Sequence, residues 1–197
     1  EDDLDRILDG RELDFVFPTH EEFPHAGNLS RILDKYPSCI AVGEVRDWHL
    51  YMPEHNDRIR RVDVNDSVVV GEDVITILPG LIHDLPWTYW FYSHRARGLF
   101  VSDGFAYSHE HDANQCRLLA SELPEKPDSV SVSYVNKTAL YWTAFVDTTQ
   151  LQQEILHLME QYPPRVICPA HGSVIDSIDD FVPLLLEGLQ APAEAAP

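Results

Sequence analysis

Six side chains that can bind a first-row metal stand at four places where an apolar run gives way to polar residues. His20, Glu22 and His25 lie together in residues 20–25, and His83, Asp103 and His171 each follow a separate apolar run. Imidazole and carboxylate are the ligands of zinc, iron and manganese. No cysteine joins the set, so a thiolate site is not expected. Six ligands exceed what one tetrahedral ion needs, which points to two ions, with Asp103 the carboxylate able to bridge them. Any one of these residues alone reads more simply as a capping or packing side chain. Their joint occurrence in one grammar (strand, ligand, then glycine or proline) is the signal.

The elements that must position them follow from pattern. Phe15-Val16-Phe17 reads as the end of a buried strand and residues 29–36, with Leu29, Ile32, Leu33 and Tyr36, as a helix. The ligand-rich segment between them is therefore a strand-to-helix loop, where α/β proteins place ligands. A helix over residues 2–8, closed by Gly10, precedes this unit, and a second buried strand over 39–43 follows it, giving a βαβ pairing with parallel strands. Short β-rich runs fill residues 58–102. Helices are expected over 113–123, 134–145, 151–162 and 181–189, a loop over 125–131, and a last strand over 165–168. A short helix fits residues 44–52, and its neighbours His49 and His55 read as surface or packing residues. One domain over residues 1–189 and a frayed tail over 190–197 complete the expected organisation.

Other features limit the function. The chain of 197 residues carries 14 basic and 33 acidic residues, a net charge of −19, and 44% hydrophobic residues. That balance repels nucleic acid and anionic membrane surfaces, and neither is expected as a partner. No apolar run reaches the ~20 residues of a membrane span. Cys39, Cys116 and Cys168 are widely spaced and odd in number, which fits a reducing, cytoplasmic setting. His109-Glu110-His111-Asp112 is dense in donors. It reads either as an exposed loop or as a source of a proton donor, and His109 with nearby Tyr107 are the candidate catalytic groups outside the metal set.

The motifs together resemble the metallo-β-lactamase superfamily, and within it the flavodiiron and oxygen-binding diiron branch. His20-Glu21-Glu22-Phe23-Pro24-His25 is similar to the family's His-x-Glu-x-Asp-His. Residues 82–88 look like its His-Trp-Pro-Asp segment, 99–105 like its Leu-Phe-Ser-x-Asp-x-Phe segment, and 168–172 like its Pro-x-His-Gly end. The resemblance covers residues 13–175 and implies an αββα sandwich. It also implies two irons, with zinc or manganese as alternatives. One ion would take His20, Glu22 and His83, the other His25 and His171, with Asp103 as bridge. Glu22 stands where hydrolases of the superfamily usually carry His, a harder ligand that favours iron or manganese over zinc.

Two departures matter. Pro24 replaces the aspartate that ligates the second ion, and Glu21, acting through a water, is the nearest stand-in. The family's first strands also have no counterpart ahead of Phe15, so a trimmed chain or a second chain supplying them, as in a homodimer, is expected. The leading functional reading is an oxidoreductase that binds O2, NO or peroxide, with Trp87, Trp90 and Tyr107 lining a dry pocket and electrons arriving from a partner protein. The alternatives are a dinuclear hydrolase of an ester, thioester or lactone, with His109 or His111 protonating the leaving group, and a non-catalytic sensor.

Overall fold

The computed structural model describes residues 2–44, 46–112 and 117–190. In chain order the elements are α1 (Asp2–Leu8), β1 (Phe15–Val16), α2 (Phe23–Ala26), α3 (Leu29–Lys35), β2 (Ile40–Gly43), α4 (Trp48–Tyr51), β3 (Ile59–Arg61), β4 (Ser67–Val70), β5 (Asp73–Pro79), β6 (Tyr89–Ser93), β7 (Gly98–Phe100), α5 (Ser129–Thr138), α6 (Thr149–Gln161), β8 (Val166–Cys168) and α7 (Ile178–Gln190).

The strands form two sheets. β1, β2 and β3 make a parallel sheet, as the βαβ pattern predicts. β4 to β7 form an antiparallel run, and β8 joins β7 in parallel. Alternation along the strands explains how the sheets stack. In β6, Tyr89 and Phe91 face one way and Trp90 and Tyr92 the other. Phe91 joins Val42, Val62, Val68 and Ile77 in a core between the sheets. Trp90 and Tyr92 join a second core with Leu140, Ile155, Phe181 and Leu185 from the helical segment after residue 128. On the far side, Ala41 of β2 packs with Leu29 and Leu33 of α3, Trp48 of α4 and Met52 just after it. The layers are thus helix, sheet, sheet, helix, the αββα arrangement that the family resemblance implies.

Three local expectations are corrected. Residues 117–119 are not helical and only a 3-10 turn, Ala120–Glu122, forms in the expected 113–123 helix; residues 113–116, including Cys116, lie outside the described residues. The expected loop over 125–131 instead yields the start of α5. Asp128 and Ser131 form a reciprocal capping box there, the Asp128 carboxylate accepting from the Ser131 N–H at 2.8 Å. The expected helix over 134–145 accordingly ends at Thr138, and a 3-10 turn, Tyr141–Ala144, follows. α7 runs through Gln190, the first residue of the expected tail, and residues 191–197 lie outside the described residues. No described helix is long and apolar enough to cross a membrane.

Candidate metal centre

β5, β7 and β8 run in one direction, so the loops that leave their carboxyl ends emerge at the same edge of the larger sheet. These loops carry residues 80–88, Asp103 and His171. The loop from β1 is brought to that edge by main-chain pairing, the Tyr89 N–H donating to the Thr19 carbonyl at 2.7 Å. Topology therefore assembles four segments far apart in sequence.

Asp103 lies at the middle of the assembly. Its Oδ1 is 3.4 Å from His25 Nε2 and 3.1 Å from His171 Nε2, while Oδ2 is 3.5 Å from His20 Nε2. The two oxygens of one carboxylate thus face different imidazoles. Glu22 Oε2 lies 3.3 Å from His25 Nε2 and 3.7 Å from His20 Nε2. The rings of His20 and His25 are 4.4 Å apart, and those of His25 and His171 are 5.7 Å apart and perpendicular. His20 Nε2 and both oxygens of Asp103 are buried and have no hydrogen-bond partner. Buried polar atoms are normally paired, since leaving one unsatisfied costs about 1–3 kcal/mol. Atoms that converge without bonding one another are what a cation needs. Donors on one ion with bonds of about 2.0–2.2 Å stand about 3 Å or more apart, close to the spacings here. The residues present therefore fit a metal group.

The loops are held stiffly. Ser102 receives a hydrogen bond from the Thr19 hydroxyl at 3.0 Å, and its Oγ lies 2.7 Å from His20 Nδ1. Its carbonyl accepts the Ala170 N–H at 2.7 Å, tying the loop of Asp103 to that of His171. Ser102 and Phe105 both have left-handed backbones, φ 51 and 60. This is a costly conformation for residues with a Cβ. Phe105 offsets part of that cost by burying its ring against Trp90, 5.6 Å away. Gly104, between them, is required because a Cβ there would fall 2.7 Å from the Trp90 ring.

His83 stands apart from this cluster. Its Nδ1 is hydrogen-bonded to the Gly80 carbonyl, its own carbonyl accepts the Trp142 indole N–H at 2.6 Å, and its ring packs 6.0 Å from that indole. The neighbouring Asp84 faces the histidines instead, with Oδ1 3.9 Å from His20 Nε2. Two sets of side chains bring ligand atoms within 4.8 Å of one another: His20, His25 and Asp103, and His20, Glu22 and Asp84. His83 and His171 belong to neither, and Asp84 enters the second in the loop where the sequence points to His83. Adjacent side chains leave the backbone in different directions, and Trp142 takes the one that His83 follows. Trp142 gives no sign of this role in the sequence.

The remaining expected groups take other roles. The Tyr107 hydroxyl donates to the Ser173 carbonyl and accepts the Ser173 N–H, both at 3.1 Å, which commits it to holding the turn after His171. Burial pushes its pKa up. His109 lies beside that turn, its Nε2 3.4 Å from Ser173 Oγ and its ring 5.4 Å from Tyr107. Burial, then the neighbouring His111, hold its pKa below the ordinary histidine value. Trp87, Trp90 and Tyr107 do not share a pocket. Trp87 is partly exposed under Arg46, whereas Trp90 and Tyr107 are core residues. Glu21 lines a groove with Phe23, Trp48, Tyr51 and Leu85, and its Oε2 is buried without a hydrogen-bond partner. Pro24 itself sits in the first turn of α2, where its missing N–H costs nothing. Cys39 and Cys168 are free thiols; burial raises the pKa of both, Cys39 to about 11. A groove of about 990 Å³ between the end of β5 and α6 carries none of these groups.

No family model and no curated protein matches the chain. Solved structures do. The rubredoxin oxygen:oxidoreductase of Desulfovibrio gigas has a TM-score of 0.70 at 13% identity, over 95% of this chain and 46% of that one. The flavodiiron protein of Giardia intestinalis gives 0.68 at 19% identity, over 94% and 45%. The metal-soaked flavodiiron core of Flv1 from Synechocystis gives 0.67 at 17%, over 94% and 46%. The chain spans about half the length of these proteins. Layer order, sheet topology and these likenesses agree: the chain has the metallo-β-lactamase-like fold of the flavodiiron core.

Proposed function

We propose that this chain holds two metal ions, iron in its working form, and acts on dioxygen or a comparably small oxidant with electrons from a separate protein. The observation that carries the reading is the Asp103 carboxylate, buried, without a hydrogen bond, and with its two oxygens turned to different histidines. His20 and Glu22 would hold the first ion, and His25 and His171 the second. A pair of ferrous ions so held supplies two electrons to one bound oxidant. The name of the Desulfovibrio protein pairs rubredoxin with oxygen, and a small electron-carrying protein is the partner class proposed here.

The chain's own groups prepare the site. Ser102 Oγ stands 2.7 Å from His20 Nδ1, so with a metal on Nε2 it would accept the Nδ1 proton and hold the ring in that tautomer. Tyr107 clamps the turn that carries His171. Asp103 is itself buried, while the half-exposed Glu22 and His171 leave one side open to a small molecule. The hydrolase alternative has less support. Burial, then the neighbouring His111, hold the His109 pKa below the ordinary histidine value, which makes its proton-donating form less available. Anaerobic loading with ferrous iron, desalting and elemental analysis test the proposal. About two irons per chain, and oxygen uptake with a chemical reductant that exceeds the metal-free rate, are expected. A chain that retains no iron, or one that retains it without consuming oxygen, would overturn it.

A further inference from the structure

We infer that Asp84, rather than His83, completes the first metal position, so that this ion is held by one imidazole and three carboxylates. The inference rests on the dinuclear reading above and specifies it. His20 Nε2 is fully buried, lacks a hydrogen-bond partner, and faces three carboxylates: Asp103 at 3.5 Å, Glu22 at 3.7 Å and Asp84 at 3.9 Å. Asp84 is oriented for the task, because its Oδ1 accepts the Leu85 N–H at 2.8 Å and is thereby kept on the side of His20. His83, by contrast, is not in the group of converging ligand atoms that joins His20, Glu22 and Asp84, and its ring packs 6.0 Å from that of Trp142.

The consequence is an asymmetric pair. The first position offers His20 with Glu22, Asp84 and Asp103; the second offers His25 and His171 with Asp103. Carboxylate oxygen suits manganese and ferrous iron, while imidazole suits zinc as well. The first position therefore discriminates against zinc and the second does so less. Its three carboxylates also supply negative charge that the second position, with Pro24 in place of an aspartate, lacks.

Binding of manganese(II) to the metal-free full chain tests this without any activity measurement, since free manganese has an electron-spin-resonance signal that is lost on binding. Asp84→Asn is a sparing variant, because its amide oxygen still accepts the Leu85 N–H. The wild-type chain should bind two manganese ions. Asp84→Asn should weaken one of them at least about tenfold. His83→Ala should bind both within about threefold of wild type. Thermal unfolding of the metal-free variants reports whether each is folded. Loss of a site in His83→Ala, or full binding by Asp84→Asn, would overturn the assignment while leaving a dinuclear centre standing. No manganese, iron or zinc on the wild-type chain would overturn the dinuclear reading itself.

Discussion

A metal ligand is only as good as the group behind it, and for His20 that group is Ser102. The imidazole is buried and its ring nitrogens have different tasks, Nδ1 toward the serine and Nε2 toward Asp103. With the hydroxyl removed, the buried ring can take either tautomer, and one of them puts a proton where the metal must bind. Ser102→Ala should therefore lower metal affinity about 10- to 100-fold. Its effect on unfolding should be only about 1 kcal/mol, the net worth of an ordinary hydrogen bond. A metal titration alongside thermal melts of the metal-free protein separates the two; equal affinity in the variant would remove Ser102 from the centre. The sequence carries the candidate ligands His20, Glu22, His25, Asp103 and His171 legibly, because they gather where apolar runs end. It does not carry Ser102 or the approach of Asp84 to His20. Both depend on which way a side chain leaves an irregular loop, and that is set by residues such as Thr19 and Trp142, distant in the chain and bland in type.

The elements deliver the candidate ligands through short turns, and the one after β8 depends on a glycine. Gly172 has φ 112, and a Cβ there would lie 2.7 Å from the Tyr107 ring. Gly172→Ala adds a conformation that side chains resist, about 1–3 kcal/mol, to a clash with a buried ring. The expected result is a clear loss of thermal stability and displacement of His171 from Asp103, read as loss of one metal ion with the other retained. Unchanged metal content in a folded variant would show that the turn tolerates movement. Strands such as β2 and β5 were readable from alternation and β-branched runs, and α6 from its apolar stripe. The region from residue 117 to 145 was not. Its aromatic residues fit several periods, and the capping box of Asp128 and Ser131, which sets where α5 starts, is weaker than a Ser/Thr-x-x-Glu signature.

At the scale of the whole molecule, an excess of 19 negative charges opposes compaction, and the centre concentrates part of that charge in Glu22, Asp84 and Asp103. Exposed ion pairs such as Arg6 with Asp3 and Arg61 with Asp63 offset little of it, being worth about 0–1 kcal/mol each. Repulsion acts over long distances at low ionic strength. The screening length shrinks from about 30 Å at 0.01 M salt to about 8 Å at 0.15 M. Adding sodium chloride over that range should thus raise the melting temperature of the metal-free chain, because the repulsion it screens outweighs the few attractive pairs it also weakens. Two divalent ions bound among the carboxylates neutralise charge where it is densest, so the loaded chain should gain less from the same salt. Melting curves with chelator and with manganese, each at both salt concentrations, give the comparison. A melting temperature that falls with salt in the metal-free chain would mean that local pairs, rather than net charge, govern its stability. Equal salt gains with and without metal would mean that the carboxylates of the centre do not dominate the repulsion.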